Sequence, residues 1–115
     1  MQYLLLIYGN EAAEDAIPEA QMGAMMAEYG AFTQGIVQSG EFVGANRLRR
    51  TSDATTVRVR EGKTLSTDGP FAETREALGG YYLVEAKDLD AAVAIASKVP
   101  TAKYGSIEVR PIWAN

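Results

Sequence analysis

Two short runs in this 115-residue chain, Tyr3-Leu4-Leu5-Leu6-Ile7-Tyr8 and Tyr81-Tyr82-Leu83-Val84, are apolar at every position. Successive side chains of an extended strand point to opposite faces, so each run predicts a strand that is apolar on both sides. The rest of the chain supplies only two main helical patterns, and two helices cover one face of a sheet. The other face must find cover elsewhere, because a large exposed apolar patch normally marks an interface. A second copy packed sheet against sheet meets that need, and isologous pairs are the commonest oligomers. The alternative is that loops and an added hairpin shelter the second face within one chain.

Local signals bound the helices. Pro18 suits a first helical turn, after which Met22, Met25, Met26, Tyr29, Phe32, Ile36 and Val37 recur at three- and four-residue steps. That spacing assigns the three methionines to core packing, and Gly40 is placed to end the helix. Asp88 is placed to cap a second helix, with Leu89, Ala92, Val93, Ala96 and Val99 on one stripe and Pro100 as its stop. An acidic loop joins the first strand to the first helix. Between the helices, Phe42 to Leu65 reads as a meander. Its parts are a strand over Phe42–Arg49, a turn at Thr51–Asp53, a strand over Thr56–Arg60 and a Glu61-Gly62 hairpin into Lys63–Thr67. Gly80 to Glu85 forms the next strand. The last strand, Ser106 to Trp113, sets Ile107, Val109 and Trp113 on one face. Pro111 lacks an amide donor and belongs at a sheet edge or strand end. The order strand, helix, strands, strand, helix, strand is a ferredoxin-like α+β plan with an added hairpin, in a single domain over residues 1–115.

Composition narrows the chemistry. With no cysteine, the chain has no disulfide, zinc thiolate or thiol redox chemistry available to it. With no histidine, it lacks the usual near-neutral acid/base group, so proton transfer falls to a carboxylate, lysine or tyrosine of shifted pKa. A formal charge of −4 argues against a nucleic-acid partner, where a basic footprint is expected. The run Tyr3–Tyr8 is far short of a membrane span of roughly 20 residues, and without a basic flank it reads as a strand and not a leader. The expected location is the cytoplasm.

The densest cluster of chemically able groups is Asp68-Gly69-Pro70-Phe71-Ala72-Glu73-Thr74-Arg75-Glu76, closed by Gly79-Gly80. Asp68 opens a turn in which its carboxylate is placed to accept backbone N–H bonds two residues on. Phe71 is expected to anchor the loop on the core, leaving Glu73, Thr74, Arg75 and Glu76 displayed. In one reading Asp68 stands at the mouth of a cleft with Glu73 or Glu76 near enough for each carboxylate to shift the other's pKa. In the other, Asp68 only caps the turn and the remaining charges are solvated. Gly79-Gly80 lets the following strand begin in a tight place.

This segment resembles the signature of the YCII-related family, in the branch named after its Asp-Gly-Pro-Phe motif. The resemblance continues through Tyr3–Tyr8, Ala27–Thr33, Thr56–Arg60 and Ile107–Trp113, nearly the whole chain. It implies the dimeric α+β barrel, and so a homodimer. It names no reaction, since most members of that family have no established one. Some carry a histidine–aspartate pair in a cleft, which implies acid/base catalysis. Asp68 stands in the aspartate-bearing motif, but this chain has no histidine to complete the pair. The resemblance also implies a role beside sigma-factor-type transcription regulators.

Arginines form a second constellation. Arg47 and Arg49 share one face of their strand, and Arg58 and Arg60 share one face of theirs. If those strands pair, four guanidinium groups converge as a site for a carboxylate or phosphate; otherwise they form a solvated face. Tyr8, Tyr29, Tyr81 and Tyr82 either line a cleft or serve as core and interface aromatics with hydrogen-bonded tips. The expectation is a homodimeric small-molecule-binding domain with a cleft near Asp68. Asp68 and Glu73 act there as polar or catalytic groups, and Arg47, Arg58, Tyr8 and Tyr81 contact a small anionic or aromatic ligand. No metal, cofactor, nucleic acid or membrane is expected. Two readings stand beside it: a cofactor-independent acid/base enzyme using Asp68 and Glu73, and an interaction module for a sigma-factor-type regulator.

Overall fold

The first strand, β1 (Gln2–Gly9), resolves its own ambiguity by alternation. Tyr3, Leu5 and Ile7 are buried, while Leu4, Leu6 and Tyr8 are only half-buried. This is a computed structural model, and it describes residues 1–114. β1 pairs antiparallel with β5 (Ala77–Glu85) on one side and β6 (Ser106–Pro111) on the other, and β2 (Phe42–Arg47) flanks β5. The sheet order is β2-β5-β1-β6. Pro111 ends an edge strand, where its missing donor costs no ladder bond.

Two helices pack on the face formed by Tyr3, Leu5, Ile7, Tyr82 and Val84. From α2 (Glu19–Gln38) comes Ile36, and from α3 (Leu89–Ala96) come Ala92, Ile95 and Ala96. Leu5 and Val84 are completely buried, and a side chain so placed contributes about 1.5–3 kcal/mol. Phe32 of α2 meets Tyr82 edge-on at 5.1 Å, and Thr33 and Tyr82 share a 2.6 Å hydroxyl hydrogen bond. Ala91 donates to Asp88 Oδ1 at 2.9 Å, so Asp88 caps α3 as expected. The architecture is the ferredoxin-like α+β plan with antiparallel sheets. Its third helix, α1 (Glu11–Asp15), is a single turn capped by Asn10 where an acidic loop was expected.

The opposite sheet face carries Leu4, Leu6, Tyr8, Tyr81 and Leu83, all half-buried, and none joins the core. Beyond the sheet, β3 (Thr55–Arg60) and β4 (Lys63–Asp68) pair only with each other. Their turn has positive φ at both central residues, Glu61 at 52° and Gly62 at 75°, the twist that a tight hairpin requires. This arm projects from the body. The Cα radius of gyration is 16.1 Å, against about 13 Å for a compact domain of this length.

Several expectations are corrected. β2 takes β5 as its neighbour and the chain leaves through a helical turn at Thr51–Asp53, so Arg47 and Arg49 are not brought beside Arg58 and Arg60. Phe71 does not anchor its loop on the core: it is 80% exposed, because the arm carries that loop away from the two-layer body. The residue two positions after Asp68 is Pro70, which has no N–H to give, and among the described residues nothing donates to the Asp68 carboxylate. On α3 the buried stripe runs through Ala92, Ile95, Ala96 and on to Val99, leaving Leu89 and Val93 outside. Trp113 lies past the end of β6 and is 93% exposed, so it shares no face with Ile107 and Val109. Met22 and Met25 are half-buried and Met26 is exposed, because the first half of α2 stands off the sheet.

Candidate functional site

That stand-off leaves a cavity of about 400 Å³ between the first half of α2, α1, and the adjacent ends of β2 and β5. Met22, Met25, Met26 and Tyr29 wall it from α2, and the chain from Asn46 to Arg50 walls it opposite. Arg47 reaches this wall because β2 runs unusually close to β5. A Cβ on Gly80, the register partner of Arg47, would lie 2.9 Å from the Asn46 carbonyl oxygen. Only glycine tolerates that approach.

α1 is fastened to the same wall by charge. Arg50 donates two hydrogen bonds to Asp15, at 2.6 and 2.9 Å, in the fork geometry that suits a carboxylate. Glu11 accepts from Thr51 twice, at 2.5 Å from the hydroxyl and 2.9 Å from the backbone N–H. These bonds, the hydroxyl's foremost, hold the Glu11 carboxyl below the ordinary range. Arg49 is taken by Asp53 at 2.9 Å. Among the described residues Arg47 makes no ion pair.

Glu14 differs from its neighbours. Its carboxylate lines the cavity without a hydrogen-bond or ion-pair partner among the described residues. Desolvation raises its pKa, and the charge of Glu11 adds to the rise, while Arg50 and Arg47 pull it back. Its Oε1 lies where a Cβ on Gly9 would come within 2.5 Å, so the missing side chain at position 9 makes room for the carboxylate. Across the cavity Tyr29 shares a 2.5 Å hydroxyl hydrogen bond with Thr101. Burial raises the Tyr29 pKa, only partly offset by that bond. A second hollow of about 440 Å³ is bounded by Gly9, Glu14, Met25 and Thr101 as well, and by Tyr104 and Gly105. Among the described residues no group of three or more carboxylates gathers as a metal ligand set.

Of the residues singled out from sequence, Arg47 and Tyr81 line the cavity beneath α2, and the Tyr81 hydroxyl accepts from Asn46 Nδ2 at 2.7 Å. Tyr8 lies on the open sheet face and not in this cavity. Arg58 stands on the arm opposite Leu65, and Asp68 ends β4 opposite Thr55. Glu73 is exposed in the loop that follows. Within one chain these three do not meet Arg47. Sequence reasoning missed Glu11, Glu14, Arg50 and Thr101. One signal was available: an asparagine directly after a strand, followed by three acidic residues within five positions, is a helix start.

The YCII-related domain profile matches residues 1–114. The chain belongs to the YCII-related domain family. An uncharacterized protein, R00369, of Rhizobium meliloti (strain 1021) is 36% identical to it over 114 residues, spanning 97% of this chain and 92% of its own length. Membership in the YCII-related family fits the ferredoxin-like fold and leaves chemistry to be argued from the site. No helix among the described residues is long and apolar enough to cross a membrane.

Proposed function

We propose that this YCII-related protein, of the Asp-Gly-Pro-Phe branch, is a cytoplasmic homodimer that binds a small organic anion in the cavity beneath α2. Arg47 carries this reading. Arg49 and Arg50 beside it are neutralised by Asp53 and Asp15, while Arg47 faces the same cavity without a counter-ion. A guanidinium without a counter-ion favours a planar carboxylate ligand, which its fork of N–H donors matches. The surrounding Met22, Met25, Met26 and Tyr29 suit an apolar or aromatic body, and a volume near 400 Å³ lies in the usual range for small-molecule sites.

Apolar surface left uncovered supports the dimer. Val57 and Val59 are 61% and 59% exposed on β3, and Phe71 is more exposed still. With the half-buried open sheet face, they describe a surface suited to a second copy. Asp68 and Glu73, on or next to the projecting arm, then enter a site only by reaching across to that copy.

Thermal shift and calorimetry against aromatic and aliphatic carboxylates test the binding reading, since a ligand of the native state raises its stability. Binding that weakens at least tenfold in Arg47→Met is the expected result. Acids that fail to bind, or bind equally to Arg47→Met, overturn it. Light scattering that finds a 12.4 kDa particle at micromolar concentration overturns the dimer.

A further inference from the structure

The same cavity holds a second functional group at a different place on its wall, and its chemistry specifies the ligand more narrowly. Resting on the anion-binding reading above, we propose that the ligand is bifunctional. Its carboxylate meets Arg47, and a hydroxyl or ammonium elsewhere on an aromatic or aliphatic body donates to Glu14.

Glu14 is the carboxylate of α1 left over when the others are used. Glu11 is saturated by Thr51, and Asp15 is held by both terminal nitrogens of Arg50. Glu14 faces the cavity with no donor of its own among the described residues, although Arg47 and Arg50 are near enough to act on its charge. A carboxylate on the cavity wall with no protein donor is open to a ligand's O–H or N–H, and such a bond would be charge-assisted. The arrangement is built into the backbone. Gly9 is buried at the end of β1, and the Glu14 carboxylate occupies the space beside its Cα that any side chain would take. Arg47 is likewise admitted by Gly80 on the adjoining strand. Two close approaches thus set an unpaired anion and an unpaired cation on one cavity whose remaining wall from α2 is largely methionine and tyrosine. A simple apolar acid would satisfy Arg47 and leave Glu14 without a donor. A hydroxy or amino acid of suitable span satisfies both.

The experiment is calorimetry at neutral pH on the full chain with benzoates, phenylacetates and phenylpropionates, each bearing a para hydroxyl or a para methyl of nearly equal size. The expected result is that, for the chain length that fits, the hydroxy acid binds at least about tenfold more tightly than its methyl twin, a loss on the scale of one charge-assisted hydrogen bond. Glu14→Leu should erase that preference while still binding the methyl acid. Gly9→Ala, which displaces the carboxylate without removing it, should reduce the preference as well. Circular dichroism confirms that both variants are folded. If hydroxy and methyl acids bind alike, or the preference survives Glu14→Leu, the bifunctional ligand is refuted while anion binding at Arg47 stands. If none of the acids binds the unaltered protein, the anion reading falls and this inference with it.

Discussion

The sheet's helix-covered face and the projecting arm both carry alternating apolar residues, and those residues have opposite fates. On β1 and β5 the alternating Tyr3, Leu5, Ile7, Tyr82 and Val84 are all at most 9% exposed. On β3 and β4, Val57, Val59 and Leu65 remain between 49% and 61% exposed. Both regions are antiparallel pairs, with one register shift between Ile7 and Tyr8 in the first, so strand pairing by itself does not separate them. The difference is a second layer: Ile36, Ala92, Ile95 and Val99 close over the first region, and nothing among the described residues closes over the second. Alternation specifies which side chains share a face, whereas burial requires a surface to press against. The apolar residues of the arm are the surface that the proposed second copy would cover.

Substitutions in the two regions put that contrast at risk. The largest effect is expected from Leu5→Ala, which opens a cavity under α2 and α3 and should cost about 2–5 kcal/mol of unfolding free energy in urea titrations. A loss below about 1 kcal/mol would mean the covered face is not the tightly packed one. On the arm, the double change Val57→Asp and Val59→Asp should weaken self-association at least tenfold by light scattering. It should leave the isolated chain's stability within roughly 1 kcal/mol. Unchanged association would remove the arm from the interface. Asp88→Ala removes the cap of α3 on the covered side and should cost about 1 kcal/mol, read as a shifted urea midpoint with unchanged slope.

The smallest effects concern pH and have opposite signs at two residues of α1. Burial raises the Glu14 pKa, so the folded state holds that proton more tightly than the unfolded state. Its contribution to stability falls as pH rises from the ordinary 4.5 through the raised value. Thr51 lowers the Glu11 pKa, so its contribution is present above 4.5 and is lost as pH falls through the lowered value. At neutral pH, Glu14→Gln should therefore stabilise the protein slightly and Glu11→Gln should destabilise it. Urea titrations between about pH 3 and 7 check both, and shifts of the same sign would contradict the assigned environments.

Much of the fold was legible because its signals are local. The Glu61-Gly62 turn, the Asp88 cap, the end of α2 at Gly40 and the strand character of Tyr3–Tyr8 each depend on a few adjacent residues. The cavity was not legible in the same way. Arg47 and Tyr81 stand out in the sequence and line it, but Glu14 does not stand out, because its role depends on Gly9, five residues earlier, and on Arg47 and Arg50 far along the chain. The spacing of the methionines does place them on one side of α2, as core packing would require. Spacing carries no information on how far a helix stands from its sheet.

Sequence alone determined the ferredoxin-like order of elements, the two-sided apolar strands and the exclusion of thiol and imidazole chemistry. Those properties follow from residue type and period along the chain. Tertiary structure decided that β2 pairs with β5 and not with β3, that the Asp68 loop and Phe71 leave the body, and that α1 carboxylates meet the Arg47–Arg50 segment. Each of these depends on which surfaces meet across long stretches of chain. That choice is made by packing the whole molecule, and no short window of residues contains it.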